Sequence, residues 1–216
     1  MSAREEILQR VRTGLGKGDA AARRAVAEAA MNHPARGPQP RIAGDLAQRF
    51  ASKAQYLASS VESVAGPAQV PAAVARYLAA QSLPPQAVAT GDVAGLNWPA
   101  AGIEIAARVA VDADKTGISG CFCAIAETGT LLLLSGPQTP GSVSLLPETH
   151  VAIVPVGRIV ATMEDAFALL RTEHCKLPRA VNFISGPSRT GDIEQTIVLG
   201  AHGPCRVHLI LVGENS

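Results

Sequence analysis

The chain has 216 residues, of which 47% are hydrophobic and 17% charged, with a formal net charge of +1 at pH 7. That length suits one α/β domain with a small helical appendage, and the composition is globular rather than disordered. Aromatic residues are only 3%, so stacking platforms for bases are scarce, and Lys and Arg are scattered rather than clustered; both features exclude a typical nucleic-acid binder.

The first residues carry Ile7, Leu8, Val11 and Leu15 at helical spacing, and Gly14, Gly16 and Gly18 end that pattern. This start is amphipathic and charged and lacks the apolar core of a secretory leader, so a cytoplasmic protein is expected. Residues 19–32 are Ala-rich and read as helical, whereas residues 33–41 hold three prolines and read as an extended linker. The expected division is therefore 1–42, N-terminal helix and Pro-rich linker, and 43–216, the α/β domain.

Residues 43–60 predict a helix capped by Asp45, with Leu46, Phe50, Ala54 and Leu57 as its apolar stripe. Residues 70–82 predict another, with Pro71 in the first turn. Beyond Pro85 short apolar runs recur between turns, at 86–90, 108–114, 123–135, 150–156, 180–185 and 206–213. Thr162 and Asp165 form a capping-box pattern for a helix between 156 and 180. Residues 192–200, "DIEQTIVLG", read as a short helix ending at Gly200. Near-continuous apolar strands alternating with helices predict a mostly parallel sheet covered by helices, although 124–135 also reads as a hairpin at the rim.

Four cysteines occur. Cys121 and Cys123 form a C-x-C whose thiols would share a face if both lay on one strand. A metal or iron–sulfur site would need Cys175 and Cys205 to converge there. The paired two-residue spacing of cluster proteins is missing, and buried free thiols are the alternative.

Three stretches place polar groups where a structural strand does not need them. In "AIAETGT" Glu127 stands among apolar residues, where it either acts as base or nucleophile or caps a turn. In "SGPSRTGDIE" the hydroxyls of Ser188 and Thr190 and the fork of Arg189 would suit an anion at a strand-to-helix loop. Alternatively they are caps and an Arg189–Glu194 pair. In "GAHGP" His202 is either a proton shuttle or a loop residue, and His150 carries the same ambiguity.

The blocks "GISGCFCAIAETGTLLLLSG", "SLLPETHVAIVPVGRIV", "ISGPSRTGDIE" and "GAHGPCRVHLILV" occur together and in this order. That series resembles the lactate-utilisation family, the LUD domain, most closely its protein C branch. The resemblance covers about residues 85–213 and implies a fold like the ribose-5-phosphate isomerase, glucosamine-6-phosphate deaminase and CoA-transferase group. It also implies a role in oxidising L-lactate to pyruvate beside iron–sulfur partner proteins, with no cofactor evident in this chain. The family pattern maps onto Glu127, Thr128, Gly129, Thr130, Pro147, His150, Ser185, Gly186, Ser188, Arg189, Thr190, Asp192, Glu194, His202 and Gly203. Glu127 and His202 are the candidate catalytic residues. The expected ligand-binding set is Thr128, Gly129, Thr130, Gly186, Ser188, Arg189, Thr190, Asp192, Glu194 and Gly203, around a small anionic ligand. "AETGT" is also similar to the Ser-Glu-Asn-Gly segment of CoA transferases, with Thr128 in place of the Asn. The alternative is thus a stand-alone enzyme on a phosphorylated or CoA-linked molecule, with Glu127 as base or nucleophile.

Overall fold

The structure is a computed structural model that describes residues 2–16, 18–33, 37–38, 40–174, 176–193 and 196–213. The chain divides into two units, residues 1–41 and 42–216. The first holds helices α1 (Ala3–Leu15) and α2 (Ala20–Asn32). Ser2 and Glu5 close a capping box at the start of α1, and Asp19 caps α2 by accepting from the Ala21 amide. Neither helix buries a residue.

The second unit begins with α3 (Leu46–Tyr56), where Asp45 accepts from the Gln48 amide at 2.9 Å. There follow β1 (Ser60–Val64), α4 (Val70–Ala80), β2 (Gln86–Ala89), α5 (Gly91–Ala94), β3 (Glu104–Ala107) and β4 (Thr116–Gly120). Next come β5 (Cys123–Ile125), β6 (Thr130–Leu134), α6 (Ser142–Leu145), β7 (Thr149–Pro155), β8 (Ile159–Val160) and α7 (Met163–Glu173). The chain closes with β9 (Val181–Ile184), β10 (Arg189–Ile193), β11 (Thr196–Leu199) and β12 (Arg206–Val212).

Six strands form one parallel sheet in the order β1-β12-β7-β4-β2-β3. On one face Ile118, Val151, Ile153 and Ile210 pack on Val70, Val74 and Leu78 of α4. On the other face Ala152, Val154, Leu209 and Leu211 meet Phe50 and Ala54 of α3 and the inner side of a second sheet, β8-β5-β6-β9. The outer side of that second sheet, with Cys123, Ile125 and Leu132, is covered by α7 through Ala166. Both faces of β5 and β6 are therefore buried, and that is why "TLLLL" is an unbroken apolar run. The expected hairpin at 123–135 is present as the β5–β6 pair, but it belongs to the second sheet rather than to the rim of the first. Sheet on sheet, rather than helices alone, covers that face.

Other expectations need correction. Residues 108–114 form no strand; the pairing segment is β3, four residues earlier, and Val109 and Val111 are exposed. Residues 192–193 and 196–199 are strand rather than helix. Their backbone completes β10 and then runs as β11, the two pairing antiparallel with a bulge between Thr190 and Ile193. The run Thr196-Ile197-Val198 is β-branched throughout and suits a pleated strand better than a helix. Gly-rich β4 lies at the centre of the parallel sheet. A Cβ on Gly117 would stand 1.9 Å from the Val143 carbonyl oxygen, so only glycine lets α6 cross there. Among the described residues no helix is long and apolar enough to cross a membrane.

Candidate ligand site

The motif residues gather at one end of the second sheet, against the end of α3. Thr128 Oγ1 donates to Thr130 Oγ1 at 2.8 Å, and Thr130 Oγ1 lies 2.6 Å from Ser185 Oγ. Gly129 takes φ +69°, and its missing Cβ would sit 2.5 Å from the Ala54 amide nitrogen and 2.7 Å from the Lys53 carbonyl carbon. Gly186 takes φ +81°, and a Cβ there would lie 2.3 Å from the Leu57 carbonyl oxygen. Arg189 donates through Nη2 to that same oxygen at 3.0 Å. A cation on the last carbonyls of a helix complements its dipole, so this fork closes α3. Both glycines give the chain its approach to the helix backbone.

Ser188 bonds through its amide to the Pro204 carbonyl, and its own carbonyl accepts from Gly200. A Cβ on Gly203 would lie 3.3 Å from Ser188 Cβ, so "SGPS" and "AHGP" are clasped together. His202 is exposed. This clasp immediately precedes β12 and therefore lies at the amino edge of the parallel sheet. It does not lie at the carboxyl edge that a strand-to-helix loop would occupy, because no helix follows. Glu127 is half-buried at the β5–β6 turn, and its carboxylate has no hydrogen bond or ion pair with a described residue. Glu194 lies outside the described residues.

The carboxyl edge carries a different set. The chain leaves β2 toward β3 on one side, whereas it leaves β4 toward β7 on the other. The connections diverge between the ends of β2 and β4, the place where open α/β sheets bind ligands. A cleft of about 240 Å³ opens there, lined by Thr90, Ser119, Gly120, Ser144 and Asn182 and walled by Phe122 and His174. Asn182 and Leu133 face each other across β9 and β6. This cleft is thus at the opposite end of the second sheet from Thr130 and Ser185.

Ser119 Oγ lies 2.8 Å from Nε2 of His150, and both residues are buried. Burial pushes the His150 pKa down to about 4, so the ring is neutral. Its Nδ1 has no hydrogen-bond partner among the described residues. An orphaned buried lone pair is less costly than an orphaned N–H, which assigns the proton to Nε2. His150 then donates to Ser119, which leaves the Ser119 hydroxyl proton without a partner among the described residues. A Ser–His nucleophile would need the opposite tautomer. Thr90 stands beside Ser119 across the β2–β4 pairing, and its buried Oγ1 also lacks a partner among the described residues. Ser144 spends its proton on the Gly141 carbonyl and Thr139 on that of Leu134. Two unspent donors, Thr90 and Ser119, thus face one space.

None of the described residues lining the cleft is Lys or Arg. Arg158 is near but occupied: it binds the Glu173 carboxylate at 2.6 and 2.9 Å and the Phe122 carbonyl at 2.8 Å, and its guanidinium lies over the Phe122 ring. It braces the wall that Phe122 and His174 form.

The two cysteines do not share a face. Cys121 follows β4 and packs toward α3, whereas Cys123 points to the α7 side. Desolvation pushes the Cys121 thiol up to about 12 and Cys123 up to about 11, which disfavours the thiolate that a metal or nucleophile would need. Among the described residues no group of three His, Cys, Asp or Glu is placed to hold a metal ion. Cys175 lies outside them.

The residues of this cleft escaped the sequence reading, which followed local motifs. A usable signal was present in "AVATGD" and "TGISG", where an apolar strand ends in a hydroxyl residue and glycine.

A family model described as the LUD domain matches residues 47–212. Curated relatives named lactate utilization protein C include one from Exiguobacterium sp., 37% identical over 118 residues, covering 53% of this chain and 51% of the relative. One from Bacillus subtilis is 36% identical over 133 residues, covering 55% and 54%. One from Shouchella clausii is 42% identical over 100 residues, covering 45% and 44%. The matched stretches span about half the length of these relatives. The crystal structure of a DUF162 family protein from Deinococcus radiodurans is similar in fold, with a TM-score of 0.59 at 24% identity over 81% of this chain and 100% of that one. With the family pattern running through almost all of the second unit, the chain belongs to the LUD domain family.

Proposed function

We propose that this chain is a component of a lactate-utilisation system and that its small-molecule ligand lodges in the cleft between Thr90 and Ser119. The relatives named lactate utilization protein C support the first half. The observation that carries the second is the pair of unspent hydroxyl donors at the switch point of the parallel sheet, one of them oriented by buried His150. In this reading iron–sulfur partner proteins carry the electrons, and this chain binds and presents a small molecule to them. Ser119 and Thr90 hold an acceptor oxygen, His150 positions Ser119, and the Arg158–Glu173 brace keeps the Phe122 wall in place. The "SGPSRT" and "AETGT" blocks then serve the fold, by seating the second sheet and its hairpin on α3.

The test is growth on L-lactate as sole carbon source, in an organism without another lactate dehydrogenase. Deleting the gene should abolish growth, and the wild-type gene should restore it. Thr90→Val should restore it poorly although the protein accumulates normally, because that hydroxyl makes no bond to a described residue. Normal growth of the deletion strain would remove the proposal.

A further inference from the structure

The cleft is one half of a larger feature. On the opposite face of the same sheet edge lies a second cleft of about 380 Å³, lined by Val70, Val93, Leu96, Ile153, Pro155 and Val212. It is apolar and rests on the α4 core. The two share Asp92, Gly120 and Cys121, so they meet over the end of β4. The missing side chain of Gly120 lets the Asp92 carboxylate pack there: a Cβ on Gly120 would stand 2.3 Å from Asp92 Oδ2. The Asp92 carboxylate is exposed at the junction, with no hydrogen bond or ion pair to a described residue.

We infer that the two clefts form one bipartite site for a neutral amphiphile, a carbonyl-bearing head held by Thr90 and Ser119 and an apolar arm reaching past Asp92 into the second cleft. This rests on the reading of the first cleft as the ligand site and adds the ligand's class. Three observations converge on it. The free donors Thr90 and Ser119 call for an acceptor oxygen. The described lining holds no Lys or Arg, and Asp92 at the junction repels an anion, so the head is uncharged and the lactate anion itself is disfavoured. The apolar cleft adjoins the polar one, and Asp92 is the side chain that stands where they meet. Quinones with an alkyl arm belong to this chemical class. In a lactate-utilisation system an acceptor of two electrons and two protons is the chemistry that the oxidation of a 2-hydroxy acid requires.

The sole tryptophan reads the apolar half, because the buried Trp98 indole donates to the Val93 carbonyl at 3.0 Å. The probes are a dimethoxy-methyl-benzoquinone with a decyl arm and its arm-less parent, titrated into the full chain by calorimetry and by Trp98 fluorescence. The decyl probe should bind at least about tenfold more tightly than the parent, since each buried methylene adds to affinity. Leu96→Asn should erase most of that gain and leave the parent's affinity alone. Thr90→Val should weaken both probes by about fivefold, the worth of one hydrogen bond. Sodium L-lactate in the same range should give no heat. Equal affinity for the two probes, or affinities unchanged in both variants, would overturn the inference. So would lactate binding that Thr90→Val abolishes. Failed titrations beside an intact deletion phenotype remove only this inference. Normal growth of the deletion strain removes the lactate role and leaves the titrations standing.

Discussion

Gly129 offers the sharpest test of what the motif blocks are for. It lies in "AETGT", where a ligand role was expected, yet the structure places it against the backbone of α3. Replacing it by alanine has two consequences. The residue sits at φ +69°, a conformation that costs an L-residue about 1–2 kcal/mol. The new Cβ would also stand 2.5 Å from the Ala54 nitrogen and 2.7 Å from the Lys53 carbonyl carbon. These are helix backbone atoms and cannot rotate away, so α3 or the β5–β6 turn must shift, and overpacking of this kind costs about 1–3 kcal/mol more. The total is about 2–5 kcal/mol, a large part of a domain's stability. An internal control exists. Gly102 has nearly the same backbone, φ +71°, with nothing within 4 Å of its would-be Cβ, so Gly102→Ala isolates the backbone cost of about 1–2 kcal/mol. Urea unfolding followed by Trp98 fluorescence should show Gly129→Ala less stable than Gly102→Ala by about 1–3 kcal/mol. If the two variants agree within about 0.5 kcal/mol, contact with α3 is not what requires this glycine.

Two further outcomes are expected. His150 and His208 both have pKa values lowered by burial from 6.5 to about 4. Between those values the unfolded chain takes up protons that the folded chain refuses, so stability present above pH 6.5 is lost as pH falls toward 4. The limit is of order 3 kcal/mol per histidine. His208 stacks on Tyr77 with 3.9 Å between ring centroids, so His208→Phe keeps the stack and should flatten the slope of stability between about pH 7 and pH 5. An unchanged slope would show that this histidine does not contribute. Thr162→Ala removes a reciprocal cap in which Thr162 accepts from the Asp165 amide and Asp165 accepts from the Thr162 amide. It should cost about 1 kcal/mol by urea unfolding, without altering binding at the cleft.

Local chemistry was enough for the features that depend on residues close in the chain. Asp45 and the Thr162–Asp165 pair mark helix starts because a cap is satisfied within three residues, and Pro71 does so because its fixed φ suits the first turn. The apolar runs at 86–90, 150–156 and 206–213 mark strands because both faces of a central parallel strand are buried. The serial blocks that carry the family pattern were also present in the sequence alone, and so was the helical character of Ala3–Leu15 and Ala20–Asn32.

The tertiary structure decided whatever depends on distant partners. Residues 192–200 carry apolar side chains that suit either period, and pairing with β10 selected a strand. "TGISG" is too rich in glycine to announce a strand, yet it is central because α6 needs the space over Gly117. The motif blocks were expected to surround a ligand, and proximity to α3 gives several of them packing partners. The cleft draws Thr90, Ser119, Ser144 and Asn182 from four separate segments, and none of the four was a candidate site residue. Only the order of the strands, and the divergence of the chain between β2 and β4, brings their side chains to one space.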